Sequence, residues 1–209
     1  NTFASPVNQN PHSFGIDIVI HSATKYLGGH SDICAGAVVG SKESVAKIYE
    51  VAKNLGGSLS DYTVWLLERS IKTLFIRVKA QNENALQLAQ FLQNQDWISQ
   101  VYYPGLENHA QHHLAKSQMK GFGGMLSFDL AQGVDTKAFL MGLKLIKPTM
   151  SLAGIESTAL SPRLTSHSLL TEEERQSQGI TSQMVRFSTG IEDIEDLKRD
   201  LSESINRVS

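Results

Sequence analysis

The chain has 209 residues, of which 41% are hydrophobic and 19% charged, so it can form one large globular domain or two small ones. Its 19 lysines and arginines against 21 aspartates and glutamates give a net charge of −2, which offers no electrostatic reason to expect nucleic acid or an anionic membrane as the partner. No apolar run is long enough for a membrane-spanning helix, and the single cysteine, Cys34, excludes an internal disulfide and fits a reducing cytoplasm.

The first part of the chain predicts strands and helices of an α/β sheet. Residues 16–20 have the pattern of a buried strand, and residues 33–39 form a second apolar run, bounded by residues 31–32 and by Gly40. Ser41 is suited to cap the helix that follows. A longer helical stretch covers residues 60–95 and is expected to break near residues 70–74. The order strand, strand, helix indicates the later part of an α/β sheet.

The rest of the chain alternates between predicted strands and helices, which indicates an α+β layer packed on the first unit. The predicted strands are residues 98–102, 124–130 and 184–188, and the predicted helices are residues 109–118, 135–143, a short one capped by Thr171, and a last one at 191–208 with apolar residues along one side. We therefore divide the chain within the long helix, into domains at residues 1–82 and 83–209.

The most informative local pattern directly follows the first predicted strand, where Ser22, Thr24 and Lys25 lie close together. Ligands of open α/β sheets bind at the carboxyl ends of strands. A lysine amine can form a Schiff base with an aldehyde, and hydroxyl groups can bind phosphate oxygens. The pattern therefore suits a cofactor that carries an aldehyde and a phosphate. On spacing alone, a surface lysine at a strand end is the alternative.

Arg186 lies in a predicted strand in which Val185 and Phe187 share the opposite face. Its side chain is therefore expected to point away from the apolar side. A planar guanidinium can bind a carboxylate through two parallel hydrogen bonds, which a lysine cannot reproduce. The alternative is an ordinary exposed strand arginine.

Two other features are not expected to form functional sites. His109, His112 and His113 have roughly the spacing of helical metal ligands, but no cysteine or carboxylate cluster accompanies them, so a solvated helix face and no metal are expected. Cys34 lies in an apolar run and is expected to be a small buried residue rather than a nucleophile.

The string His-Ser-Ala-Thr-Lys-Tyr-Leu-Gly-Gly-His-Ser-Asp at residues 21–32 closely resembles the pyridoxal 5′-phosphate (PLP) enzymes of cysteine and methionine metabolism. This family includes cystathionine γ-synthase, cystathionine β- and γ-lyases, methionine γ-lyase and homoserine sulfhydrylases. The blocks that carry the resemblance follow one another in the family's order: residues 1–6, 21–32, 72–74, 102–106, 121–125, 151–157, 165–167 and 186–192. The resemblance implies an α/β fold of the aspartate aminotransferase-like type (fold type I), with residues 1–82 as the C-terminal part of the PLP-binding large domain and residues 83–209 as the α+β C-terminal domain. Within the string, Tyr26 is expected to serve in packing.

The family pattern assigns a role to each matching residue. Lys25 matches the lysine that binds PLP covalently and afterwards moves protons on the substrate. Ser22 and Thr24 match the hydroxyl residues that contact the cofactor phosphate. Arg186 matches the arginine that binds the α-carboxylate of a small amino-acid substrate, and Ser151 matches the serine beside that carboxylate. These roles are implied by the resemblance.

The beginning of the chain indicates that it starts inside a longer sequence. It opens without Met and has no basic residue before Lys25, so neither a signal peptide nor a transit peptide is expected. Family members are roughly twice this long, within the size range where chains divide into domains. The resemblance places a glycine-rich phosphate loop, a stacking tyrosine and a pyridine-binding aspartate upstream of Asn1, the aspartate by one residue. It also implies a homo-oligomer, a tetramer in this family.

The expected function is elimination or replacement at C–S bonds of cystathionine, methionine or homoserine esters, most simply as a cystathionine lyase or γ-synthase. Met150 stands where many γ-synthases and γ-lyases have glutamate, and an apolar residue there resembles the β-lyases and methionine γ-lyase instead. One such position leaves the reaction type open. The alternative from another class is an inactive truncated fragment that acts only as a scaffold or oligomerisation partner.

Overall fold

A computed structural model describes residues 1–208 of the chain. Its α-helices are Ser5–Asn8 (α1), Lys42–Leu55 (α2), Asp61–Ile71 (α3), Leu74–Leu92 (α4), His112–Gln118 (α5), Thr136–Gly142 (α6), Glu172–Ser177 (α7) and Ile194–Ile205 (α8), with short 3₁₀ helices at Pro11–Phe14 and Pro162–Leu164. Its strands are Ile18–Ser22 (β1), Gly36–Gly40 (β2), Ile98–Tyr102 (β3), Met125–Leu130 (β4), Lys147–Pro148 (β5), Thr158–Leu160 (β6) and Met184–Ser188 (β7). The strands predicted at 98–102, 124–130 and 184–188 are confirmed within one residue.

The larger sheet has five strands in the order β3-β4-β7-β6-β5. All of its neighbouring pairs are antiparallel except β5 and β6, which are parallel and were not predicted. Strand β7 lies at the centre and is hydrogen-bonded along both edges, so its alternate residues are fixed on opposite faces of the sheet. One face packs on α4, α6 and α8 around the fully buried Phe128, Phe139, Phe187, Leu197 and Leu201.

The smaller sheet pairs β1 with β2 in antiparallel register, from Ile18 opposite Gly40 to Ser22 opposite Gly36. The prediction of a buried strand at residues 16–20 is only half correct. The strand begins two residues later, and Ile18 and Ile20 on one face are exposed, Ile20 by 65%. Continuous apolar runs are typical of strands covered on both faces, whereas residues 1–208 cover only one face here.

Cys34 is exposed, so its prediction as a buried residue is wrong. The apolar run 33–39 is a loop followed by a strand, because β2 begins only at Gly36. Ile33 is the residue of that loop whose side chain is buried, and Cys34 points outward beside it.

The predicted solvated face of three histidines is also incorrect. Helix α5 begins at His112, so His109 precedes it and the three side chains do not share a helix face. His112 is buried, its ring nitrogen Nδ1 lies 2.8 Å from the carbonyl oxygen of Pro104, and its ring lies 5.4 Å from that of Phe122. No group of three or more metal-ligating side chains occurs among residues 1–208.

Several helices begin at the N-terminal capping residues that the sequence predicts. Ser41 and Ser60 accept the amides of Ser44 and Thr63, and Thr171 forms a reciprocal capping box with Glu174. The long helical stretch breaks between α3 and α4, as predicted. The last helix begins later than predicted, because Asp193 caps it from outside.

Helix α4 joins two apolar clusters. Its first turns, with Leu74 and Val78, pack against Ala23, Tyr26 and Leu27, whereas its later turns belong to the core of the five-stranded sheet. The division at residues 82 and 83 stays a prediction, which this change of partners along α4 supports. None of the helices within the described range has the length and apolarity needed to cross a membrane.

Candidate active site

The turn after β1 presents Lys25. Its backbone is fixed by three hydrogen bonds, from the amide of Lys25 to Ser22 (3.1 Å), of Gly28 to Ala23 (2.8 Å) and of Gly29 to Lys25 (2.7 Å). The Lys25 side chain is half-buried, and its ammonium forms no hydrogen bond or ion pair with any of residues 1–208. A lysine held on a rigid turn with an unengaged amine is suited to react with a carbonyl group.

The two hydroxyl residues before Lys25 differ in their surroundings. The Ser22 hydroxyl has no hydrogen-bond partner among the residues the structure describes. The Thr24 hydroxyl donates to the carbonyl of Ala35 (3.3 Å) and accepts from the Ala35 amide (2.9 Å), which ties the turn to the segment before β2. Ser22 can therefore bind a phosphate oxygen as a donor, whereas Thr24 would have to exchange its bond to the Ala35 carbonyl.

Arg186 lies on the face of β7 opposite Val185 and Phe187, both fully buried, as its strand pattern predicted. Its Nη2 donates to the carbonyls of Met150 (3.0 Å) and Ser151 (3.3 Å). Its Nε is buried without a hydrogen-bond partner, and burial lowers the pKa of the guanidinium. A half-buried guanidinium with unengaged donors is well suited to a carboxylate.

Ser151 lies in the loop that contacts Arg186. Its hydroxyl is 3.3 Å from that of Ser31, and its carbonyl accepts from Thr158 (2.8 Å) as well as from Arg186. Two residues later, Ala153 has a positive φ of 62° and donates its amide to the Ser188 hydroxyl (2.7 Å). The loop is thereby held on β6 and β7.

The turn of Lys25 and the loop of Ser151 are joined directly. The carbonyl of Gly29 accepts the amide of Ile155 (2.9 Å), in addition to the contact between Ser31 and Ser151. The structure thus brings Ser151 and Arg186 together and attaches both to the turn that carries Lys25. The side chain of Lys25 itself makes no hydrogen bond to either.

Tyr26 is almost completely buried, which confirms its expected packing role. Its phenol oxygen accepts the amide of Gly124 (3.1 Å), and burial raises its pKa to about 12. Two residues that the sequence analysis did not single out, Arg77 and Gln81 of α4, are buried beside the site. No motif distinguishes them, because the contacts that tie them to the site, with Tyr26, Leu27 and Gly154, join residues 50 to 73 positions apart in the chain.

The family described as "Cys/Met metabolism PLP-dependent enzyme" matches residues 1–206. The chain belongs to this family. The resemblance and the PLP cofactor class inferred from the sequence are thereby confirmed.

Relatives within this PLP-dependent family differ in the reaction that their names state. The chain is 45% identical to a cystathionine γ-lyase of Bacillus subtilis over 100% of its length and 55% of the relative, and 43% identical to a cystathionine β-lyase of Lactococcus lactis over 99% and 55%. A crystal structure of cystathionine γ-synthase from Xanthomonas oryzae matches with a TM-score of 0.93 and 41% identity, over 100% of this chain and 54% of that one. The predicted α/β fold of these enzymes is confirmed.

The chain spans about half the length of the curated relatives it matches. Most of its exposed large hydrophobic side chains lie in residues 1–82, among them Ile20, Val39, Trp65 and Ile76. Ile20 and Val39 lie on opposite faces of the small sheet, because Val39 is paired with Val19.

Proposed function

We propose that this chain, together with a further segment of the kind its relatives have, forms a PLP-dependent enzyme that eliminates or replaces groups at C–S bonds. The proposed substrates are cystathionine, methionine or homoserine esters, and the proposed activity is that of a cystathionine lyase or γ-synthase. The names of its relatives support this reaction class, and they divide among the three cystathionine activities.

The observation that carries the proposal is the arrangement of Arg186. The carbonyls of Met150 and Ser151 accept hydrogen bonds from Nη2, while Nε and Nη1 form no hydrogen bond within the described residues. Leaving a buried donor unpaired costs about 1–3 kcal/mol, which binding of a carboxylate would recover. Arg186 is therefore proposed to bind the α-carboxylate of the amino acid, with the hydroxyl of Ser151 beside it.

The residues at the end of β1 fit the cofactor. Lys25 would hold PLP through its amine, and the hydroxyls of Ser22 and Thr24 would bind the phosphate. The unengaged Lys25 amine and Ser22 hydroxyl are the structural features that support this assignment. PLP, when bound, supplies an electron sink for the charge that develops at the substrate Cα. The Lys25 amine is proposed to remove and return the proton at that atom.

The loop of Ser151 also bears on the choice among reactions. Met150 is exposed, and its carbonyl, rather than its side chain, contacts Arg186. An apolar thioether side chain there supplies no carboxylate to attract a substrate ammonium group. Within the proposal this favours a β-lyase or a methionine γ-lyase over the γ-synthases and the cystathionine γ-lyases. A homotetrameric assembly, which the family resemblance implies, and a cytoplasmic location, which the single cysteine fits, belong to the proposal as well.

The test compares Lys25→Ala with Lys72→Ala in the complete enzyme. Lys72 is an exposed lysine whose ammonium pairs with Glu68 at 3.6 Å and with no other side chain of residues 1–208, so its loss should leave the site unchanged. Cystathionine, methionine and an acylated homoserine are assayed side by side for release of keto acid and thiol. We expect Lys25→Ala to lose covalently bound PLP, its visible absorbance and all three activities.

Near-normal turnover of Lys25→Ala would overturn the role of Lys25. Absence of PLP absorbance and of turnover from the unaltered complete enzyme would favour the alternative, a scaffold or oligomerisation partner without catalysis.

A further inference from the structure

Arg77 is a buried cation that donates hydrogen bonds to three backbone carbonyls and one side-chain hydroxyl. It is 4% exposed, and its pKa is lowered by burial. Its Nη1 donates to the carbonyl of Tyr26 (2.9 Å), and its Nη2 donates to those of Leu27 (3.4 Å) and Ser70 (2.9 Å). Its Nε donates to the Thr73 hydroxyl (3.1 Å). Burying a charge without a carboxylate is costly unless its donors are hydrogen-bonded, and here four contacts to carbonyl and hydroxyl oxygens compensate it.

Two of these carbonyls belong to the residues that follow Lys25 directly. No amide of the turn donates to the carbonyls of Tyr26 and Leu27. Apart from Arg77, these two carbonyls have no hydrogen-bond partner among the described residues. Arg77 satisfies both and connects them to Ser70 and Thr73, at the junction of α3 and α4. The path of the chain at Lys25 is therefore fixed from α4.

Gln81 makes the corresponding contact to the other half of the site. It is fully buried, and its Nε2 donates to the carbonyl of Gly154 (2.7 Å). Gly154 follows Ala153, whose positive φ is unfavourable for a residue with a side chain. That strained loop carries the Met150 and Ser151 carbonyls that hold Arg186.

Arg77 and Gln81 are four residues apart in α4, so they lie on one helix face and are separated by a rise of about 6 Å. We propose that α4 sets the position of the Lys25 turn relative to the loop that holds Arg186, with Arg77 and Gln81 as positioning residues. This inference rests on the proposed function. Arg77 acts on the step that needs the Lys25 amine, and Gln81 acts on binding of the substrate carboxylate.

The first experiment measures the turn without relying on turnover. Arg77→Met and Arg77→Lys are compared with Lys79→Met, since Lys79 is an exposed cation on the same helix. Hydrogen–deuterium exchange of the PLP-free complete enzyme is expected to accelerate in residues 22–30 for both Arg77 variants and to stay unchanged for Lys79→Met. Labelling of Lys25 by PLP and borohydride, followed by mass spectrometry, should slow at least about tenfold in Arg77→Met, because small misplacements of a reacting group cost up to about 100-fold.

The second experiment compares Gln81→Met with Gln87→Met, an exposed residue of the same helix. Gln81→Met keeps the side-chain length but leaves the Gly154 carbonyl unpaired. We expect faster exchange in residues 150–156, an increase in KM of about tenfold for the amino-acid substrate, and Lys25 labelling close to that of the unaltered enzyme.

The inference requires that the Arg77 and Gln81 variants change different kinetic parameters. Arg77→Lys should lower kcat with little change in KM, whereas Gln81→Met should raise KM with little change in kcat. Equal losses of both parameters in both variants, or exchange that rises uniformly along the chain, would overturn the inference and indicate general loss of stability. Failure of the unaltered enzyme to label Lys25 would instead refute the proposed function, and the exchange data would still decide the positioning roles. If Arg77→Met does not fold, Arg77→Lys carries the same test.

Discussion

The guanidinium of Arg77 lies where a side chain on Gly29 would have to be. Gly29 has a φ of +71°, and a side chain built on it would overlap the guanidinium of Arg77. Through this close approach the guanidinium reaches the carbonyls of Tyr26 and Leu27. Gly29 therefore satisfies two requirements of this position at once. It adopts a left-handed backbone, and it has no Cβ that would displace Arg77.

Gly29→Ala is expected to destabilise the protein by more than backbone strain alone. An alanine in the left-handed region costs about 1–2 kcal/mol. Displacement of Arg77 from its carbonyls adds the cost of unpaired buried groups, about 1–3 kcal/mol. Chemical denaturation of the complete enzyme measures the sum.

The matched control for this substitution is Gly15→Ala. Gly15 has a similar φ of +81°, but no atom lies within 4 Å of the position of its Cβ. It therefore reports backbone strain without a clash. Equal destabilisation by the two substitutions would show that the approach of Arg77 to Gly29 has no energetic consequence.

Arg186→Lys should weaken substrate binding and slow catalysis while leaving PLP attached. A lysine ammonium cannot form the two parallel hydrogen bonds of a guanidinium with a carboxylate. A lost hydrogen bond to a charged group costs about 1.5–3 kcal/mol, so kcat/KM should fall roughly 10- to 150-fold. PLP absorbance of the variant serves as the control, since Lys25 and Ser22 are unaltered. An unchanged kcat/KM would refute the proposed carboxylate-binding role.

The contrast between Arg186 and Arg77 shows what the sequence could predict. Arg186 stands in a strand whose alternation places Val185 and Phe187 on the core side, so its direction follows from local periodicity. Arg77 stands in a helix near Lys72 and Lys79, both of them exposed, and no local pattern separates it from them. Its burial depends on carbonyls about 50 residues away, which only the tertiary fold brings near.

The errors of the sequence analysis have the same physical origin. Cys34 and the face of Ile18 and Ile20 were expected to be buried because apolar runs usually are. Their exposure depends on which other elements cover them, and a short window of sequence does not contain that information. Helix caps such as Ser41 and Asp193, by contrast, use partners two or three residues away. Those helix starts could therefore be predicted to within a few residues.

Tyr26→Phe is expected to destabilise the protein by about 1–3 kcal/mol, because the amide of Gly124 loses its acceptor inside the core. The difference should depend on pH. Burial raises the pKa of Tyr26 from its usual 10 to about 12, so the unfolded state ionises first. The stabilisation is therefore complete below pH 10 and is lost as the pH rises towards 12.

Urea denaturation at pH 8 and at pH 11 gives the free energy of unfolding of the unaltered protein and of Tyr26→Phe. Tyr49→Phe, at an exposed tyrosine, is the control. The gap in unfolding free energy between Tyr26→Phe and the unaltered protein should narrow at the higher pH. A gap that widens between these two values would contradict the assigned direction of the pKa shift.

Residues 1–209 prepared without any further polypeptide should self-associate and should not turn over cystathionine or methionine. Ile20, Val39, Trp65 and Ile76 are exposed on the part of the chain that carries Lys25, and apolar surface of this kind drives association in water. The relatives are nearly twice as long as this chain. The segment that the proposed complete enzyme adds would also contribute groups that stabilise the transition state. Without those groups, kcat should fall, and the effect should not be limited to a rise in KM. Both properties are measured with saturating PLP on this chain and on the complete enzyme. Sedimentation reports self-association, and keto-acid release reports turnover. A monomeric chain with turnover comparable to that of the complete enzyme would show that residues 1–209 suffice for the reaction.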